Sequence, residues 1–224
     1  MTRDYENNME AKLLSINTGL PREVVWNGKT VTTSIWKEPV SGPVRVAALN
    51  LEGDRQADLS VHGGADKAVY VYPSEHYDYW RRELPGMELP WGAFGENFTT
   101  AGLTEEFHIG DRLRIGSAEF AITQPRMPCY KLAIRFGRSD IVKRFLNSGR
   151  TGFYLAVTRE GEVKAGDSIR LDAGPGEGLS VADIVRLYTA DFENQELLAR
   201  AARLPGLPDN WRDYFRKRLW EPDK

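Results

Sequence analysis

Glycine and proline punctuate this chain so often that long regular elements have no room in most of it. There are 21 glycines and 12 prolines, and over about the first 170 residues they leave short runs rich in β-branched and aromatic residues. Such runs read as strands. Residues 12–18 form one candidate, 44–49 a second and 68–72 a third. Residues 23–36 read as a hairpin, because Asn27-Gly28 suits a two-residue turn in which both positions need positive φ. Residues 112–123 read as two strands joined at Gly116-Ser117, and 153–158 and 164–171 as two more around Glu160-Gly161. Helices are expected at 74–84 with Ser74 as a cap, at 130–136, and at 139–146 with Ser139 as N-cap. Regular βαβ alternation is missing, so a closed or strongly curved sheet is expected rather than an open parallel one.

The pattern changes at Ala173-Gly174-Pro175-Gly176-Glu177-Gly178, which reads as a linker. Beyond it, three short helical patterns open at Ser180 (with Asp183), Asp191 and Asp209. The expected organisation is a main domain over 1–172, a linker over 173–179 and a three-helix module over 180–224. Three helices of about ten residues are marginal alone, so they are expected to pack on one another, on the main domain or on a second subunit. The stripe of Trp211, Tyr214, Phe215 and Leu219 suits a homodimer contact or packing onto the main domain.

The formal net charge is -2, which argues against a nucleic-acid binder. Arg212, Arg216, Lys217 and Arg218 read as a solvated face. No run approaches the roughly 20 apolar residues that span a bilayer. The first ten residues carry three acidic side chains and no apolar core, unlike a signal peptide. One cysteine permits no intramolecular disulfide and fits a reducing compartment, so a cytoplasmic protein is expected.

That cysteine lies in the most informative segment, Gln124-Pro125-Arg126-Met127-Pro128-Cys129-Tyr130-Lys131. Two prolines stiffen the approach. A helix beginning at Tyr130 places Cys129 at its N-terminus, where the helix dipole, Arg126 and Lys131 favour a thiolate, the form that binds a soft metal or attacks an electrophile. A buried structural cysteine is the alternative. A second segment, residues 53–67, reads GDRQADLSVHGGADK. Gly63-Gly64 can bring backbone N–H groups to an oxyanion, and Arg55, His62 and Lys67 can pair with a phosphate; a surface loop is the alternative. A third, Gly92-Ala93-Phe94-Gly95-Glu96-Asn97-Phe98-Thr99, offers an amide and a proton-transfer carboxylate or merely a turn. His76 reads as a surface or packing residue and His108 as structural. Spacing supports neither a zinc site nor a nucleophile elbow. There is also no cysteine set for an iron–sulfur cluster.

Taken in order, the GDRQADLSVHGGADKAVYVYP, GAFGENFT, IGDRLRIG and QPRMPCYKL runs resemble the MOSC family, named for the C-terminal domain of molybdenum-cofactor sulfurases. The resemblance covers about residues 10–172. The added three-helix tail resembles the YiiM-like branch. It implies a mainly β fold: a MOSC β-barrel with peripheral helices and a small C-terminal three-helix module. It also implies a molybdenum cofactor, a pyranopterin with a phosphate, with Cys129 as metal ligand or sulfur carrier. The cofactor contacts it implies are Arg55, His62, Gly63, Gly64, Lys67, Asn97 and Arg126. Family chemistry implies reduction of N-hydroxylated bases and amines, with His62 or Glu96 protonating the leaving hydroxyl and electrons arriving from a separate donor protein. A carrier that holds sulfur as a Cys129 persulfide, or holds cofactor for delivery, is the alternative. An inert scaffold whose helical module binds a partner is a third reading.

Overall fold

A computed structural model describes residues 11–57, 63–172 and 178–220, together with the backbone but not the side chain of Trp220. In chain order the elements are β1 (Lys12–Thr18), β2 (Arg22–Trp26), β3 (Lys29–Thr33), β4 (Glu38–Pro39), β5 (Pro43–Val46), β6 (Val69–Pro73), α1 (Glu75–Glu83), β7 (Phe98–Ala101), β8 (Arg112–Ile115) and β9 (Ala118–Pro125). There follow α2 (Tyr130–Phe136), α3 (Ile141–Asn147), β10 (Phe153–Arg159), β11 (Gly161–Lys164), β12 (Ile169–Asp172), α4 (Val181–Thr189), α5 (Gln195–Ala201) and α6 (Asp209–Trp220). None of the described helices is long and apolar enough to cross a membrane.

Eight strands form one sheet in the order β12-β8-β9-β10-β6-β7-β1-β4. The neighbours are antiparallel except β6 and β7, a parallel pair with α1 in its crossover, as parallel strands require. Bulges between Leu13 and Ser15 in β1, and at two places where β10 meets β9, bend the sheet. It curls until β1 meets the approach to β12: Leu13 N donates to Asp167 O at 3.0 Å, Gly166 N to Leu13 O at 2.7 Å and Ile169 N to Ala11 O at 2.7 Å. Among the described residues the ladder does not close completely, so the expected barrel is a tightly curled sheet. The rest of the expected class, mainly β with peripheral helices and a C-terminal helical module, is what the chain adopts.

Strand β6 shows why the sheet needs layers on both faces. Its alternating Val69, Tyr70, Val71 and Tyr72 are all buried. The valines join Leu13, Ile16, Phe98 and Phe120 inside the curl. The tyrosines join an aromatic layer with Trp80, Phe94 and Phe145 from the peripheral segments, in which Trp80 Nε1 donates to Tyr72 Oη at 2.6 Å. Period-2 alternation therefore separates two apolar layers instead of core from solvent.

Several local expectations hold, and others need correction. Asn27 and Gly28 both have positive φ, 50° and 75°, as the two-residue hairpin turn requires. Ser74 stands at the start of α1 but its side chain makes no capping bond. Helix α3 starts after Asp140, not Ser139, with Arg138 holding Asp140 through two contacts of 2.6 Å. The single strand expected over 164–171 is two, because Gly166 at φ 98° and an Asp167 carboxylate accepting from Lys164 N turn the chain between them. Strand β11 then leaves the main sheet to pair with β5. In the tail, Ser180 and Asp183 form a reciprocal capping box. The second helix is shorter than expected: Asn194 Oδ1 accepts Leu197 N at 3.1 Å, so the helix opens there and not at Asp191.

The expected linker over 173–179 falls mostly on residues outside those described. On its far side, Val181, Ile184, Leu198 and Phe215 belong to the same apolar cluster as the inner face of the sheet. The tail helices thus complete a core begun by the strands. Two outcomes follow. Phe215→Ala should lower stability by about 3–5 kcal/mol, read as one shifted urea transition; a separate early transition of the helices would show that the core is not shared. Ser180→Ala should cost about 1 kcal/mol through the lost cap, measured the same way.

Candidate functional site

Cys129 is the N-cap residue of α2, in extended backbone (φ -118°, ψ 173°), and its neighbours Pro128 and Met127 lead in from the end of β9. It is half-buried. The loop carries it to the junction of two cavities. Both are lined by Cys129, Met127, Lys67 and Tyr154.

The first cavity is strongly cationic. Among the described residues, Lys37, Lys67, Arg126 and Lys131 line it against one carboxylate, Asp54. Burial pushes the ammonium of Lys37 below its ordinary pKa although Asp54 and Glu96 oppose it. Burial does the same to Lys67 against Asp66. The pKa of Arg126 lies above its ordinary value: desolvation works against its charge, but the electrostatic influence of Tyr70, Tyr154 and Cys129 outweighs it. Its guanidinium lies 5.4 Å from the ring centroid of Tyr70 and 5.1 Å from that of Phe145, in favourable cation–π range. Yet among the described residues its buried Nη1 has no hydrogen-bond partner, and neither has the buried hydroxyl of Ser34, also in the lining. An unpaired buried donor costs about 1–3 kcal/mol, more on a charged group. Unmet donors and an excess of cations among the described lining residues give this cavity the chemistry to accept an anion.

The walls are set by a buried polar network. Asp54 Oδ1 accepts Gly19 N at 2.8 Å and Lys37 Nζ at 2.5 Å, and Asp54 Oδ2 accepts Asn97 Nδ2 at 2.9 Å. Asn97 Oδ1 accepts Tyr70 N at 3.1 Å. Gly92 and Gly95 allow this approach. Both have positive φ, and an added Cβ would come 2.5 Å from Lys37 O at the first and 2.7 Å from Ile35 Cδ1 at the second. The turn of residues 65–67 that carries Lys67 hangs from β9, with Asp66 O accepting Thr123 Oγ1 at 2.7 Å and Gln124 Nε2 at 3.3 Å.

The structure brings Gly63, Lys67, Asn97, Arg126 and Cys129 to this cavity. Gly64 precedes the 65–67 turn at φ 90° and is exposed. Arg55 is exposed and outside the lining, because Gly53 turns the chain so that Asp54, not Arg55, enters the network. His62 lies outside the described residues. Glu96, expected to face the cavity, does not line it. Its carboxylate is fully enclosed and accepts from Gly92 N at 2.8 Å, Phe94 N at 3.1 Å, Thr99 Oγ1 at 2.9 Å and the Tyr77 hydroxyl. Burial raises its pKa against those donors. With four donors bound, it organises the turn and has no exposed oxygen to offer a ligand. His76, read as surface or packing, pairs with both oxygens of Glu105 at 2.9 Å.

Sequence reading missed Lys37, Asp54, Ser34 and Tyr154. Asp54 stands inside the quoted loop, one residue after a turn glycine. Lys37 carries no local signal, since it becomes a site residue only when its strand-linking segment folds over the Gly92–Gly95 turn.

The comparisons agree with this architecture. Residues 58–170 match the MOSC domain model, and residues 179–220 match the YiiM-like, 3-alpha helix domain model. The protein YflK of Bacillus subtilis is 42% identical over 207 residues, covering 92% of this chain and 93% of that one. Protein YiiM of Escherichia coli is 38% identical over 194 residues, covering 83% and 84%. A protein from Gibberella moniliformis described as a reductase is 34% identical over 211 residues; the match takes in 92% of this chain but 37% of that longer protein. The crystal structure of YiiM from Geobacillus stearothermophilus superposes with a TM-score of 0.78 at 35% identity, covering 93% of this chain and 99% of that one. Curled sheet, cysteine loop and helical tail together make this chain a member of the MOSC-domain family, with a YiiM-like three-helix domain at its C-terminal end.

Proposed function

We propose that this chain is a molybdenum-cofactor-binding reductase component acting on N-hydroxylated bases and amines. The observation that carries the reading is Arg126: a buried cation with an unpartnered Nη1, in a four-cation cavity bordered by the chain's one thiol. A pyranopterin phosphate supplies the negative charge and acceptor oxygens that this donor set lacks. Arg126, Lys131 and the Gly63 backbone would hold the phosphate and pterin, Ser34 would bond a ring substituent, and Cys129 Sγ would hold the metal.

When bound, the cofactor supplies two-electron redox chemistry at one metal atom. The overall change, an N–OH group with two electrons and two protons giving N–H and water, leaves proton supply to the protein. Lys67, made more acidic by burial and lining both chambers beside Cys129, is the group we assign to protonate the departing hydroxyl, a role Glu96 is too enclosed to fill. The electrons come from a separate donor protein. The reductase description of the Gibberella relative supports this class of chemistry.

The test uses protein from a host that makes the cofactor, with molybdenum and pterin measured per chain. Wild type should carry both. Cys129→Ser should lose most of the molybdenum, and Arg126→Met should lose pterin as well. Wild type purified anaerobically without either, or loading indifferent to Cys129, would sink the reading. Cofactor-free Arg126→Met should be as stable as cofactor-free wild type or more so, because replacing a poorly paired buried charge by an apolar side chain of similar volume is commonly neutral or stabilising; urea unfolding reads this independently of loading.

A further inference from the structure

Three stretches of chain far apart in sequence bring two arginines to one tryptophan. Arg22 opens β2, Trp36 stands between β3 and β4, and Arg135 lies in the last turn of α2. The guanidinium carbon of Arg22 is 3.7 Å from the centroid of the Trp36 ring, and that of Arg135 is 6.0 Å from it. Both distances are in cation–π range. A guanidinium over a ring uses its face for the contact and keeps its in-plane N–H edge for acceptors. Those acceptors are missing. Among the described residues neither arginine has a carboxylate within ion-pair distance or an acceptor for its side-chain N–H groups, and Arg135 Nε is buried without a partner. Burial, and then the charge of Arg22, pushes Arg135 below its ordinary pKa, with Tyr77, Glu96 and Glu38 working the other way. One cation would satisfy the ring. The second adds like-charge repulsion and no bond.

The cluster is separate from the cationic chamber at Cys129. Ile35 and Lys37 line that chamber, as does Lys131 one helical turn before Arg135, whereas Arg22, Trp36 and Arg135 do not. We infer that Arg22 and Arg135 form a second oxyanion site, in which a small phosphate-class anion, free or as the terminal group of an ester, bridges the two guanidinium forks beside Trp36. Tetrahedral phosphate offers oxygens to both forks at once, the arrangement that guanidinium groups bind most strongly. The anion supplies the absent acceptors and removes the repulsion. It also joins two parts of the fold. Strands β2 and β3 form a sheet only with each other, so an anion held by Arg22 and Arg135 ties the hairpin to α2. The site needs no metal and no electrons and does not rest on the reductase reading.

The test is isothermal titration calorimetry on the cofactor-free full chain carrying Arg126→Met, which silences the chamber at Cys129. Inorganic phosphate and glycerol 3-phosphate are the probes. This protein should bind one phosphate per chain. Adding Arg22→Gln or Arg135→Gln should weaken binding on the order of tenfold each, and Arg22→Lys, which keeps the charge without the fork, should weaken it too. Arg22 is exposed, so Arg22→Gln should leave the phosphate-free urea midpoint unchanged, and its result stands even if Arg135→Gln folds poorly. Phosphate should raise the urea midpoint of the Arg126→Met protein and lose most of that effect once Arg22→Gln is added. Equal affinity for the two probes would uphold the site with the terminal phosphate as the recognised group; tighter binding of the ester would uphold it with an ester as occupant. No phosphate binding by the Arg126→Met protein, or binding indifferent to both Arg22 and Arg135, would overturn it.

Discussion

The Asp54 carboxylate is the interaction on which the site depends. It is almost without solvent contact and accepts from a backbone amide, an ammonium and a side-chain amide, each from a different stretch of chain. A buried charge of this kind is tolerated only when its partners are all in place. It therefore fixes three loops at once: the turn after β1, the segment carrying Lys37 and the glycine turn ending in Asn97. Asn97 passes the constraint to the centre of the sheet by accepting Tyr70 N. A second line of hydrogen bonds, Ser15 to Asn17, Asn17 to Thr99 and Thr99 to Glu96, runs beside it. This buried polar network holds together the loops that wall the cationic chamber.

Around that frame, Cys129 occupies a boundary. On one side are four cations, among them Arg126 with its buried Nη1 unpartnered among the described residues; on the other, aromatic rings and an exposed amide. The proline-framed loop explains the placement. Pro125 ends β9, Pro128 disfavours helix at the residue before it, and α2 begins only after Cys129, whose backbone is extended. Within the helix, Leu132 and Phe136 lie against the aromatic layer.

Much of the fold was legible in the residues. The strand over 12–18, the Asn27-Gly28 turn, the helix over 130–136 and the Ser180–Asp183 box each follow from local chemistry, and all four appear with the expected bounds or partners. What escaped sequence reading depended on distant contacts. Nothing local shows that Lys37 will be buried against Asp54, or that β11 will leave its neighbour for β5. Two expected site residues lie outside the cavity lining, because local environment outweighed residue type. Arg55 looks like a phosphate ligand and Glu96 like an acid, but a positive-φ glycine turns the first outward and four donors enclose the second. Conversely, Trp211 and Tyr214 read as a packing stripe, and the sequence cannot reveal that the same stripe borders the cysteine.

The shared core has a further consequence, in how chains of this design can diversify. A domain joined by a linker and touching its neighbour through polar contacts can be exchanged as a unit. Here, Val181, Ile184 and Phe215 sit among the side chains of the strands, so substituting a foreign tail would mean rebuilding the interior at the same time. The tail is accordingly open to point changes on its exposed faces and closed to exchange as a whole segment.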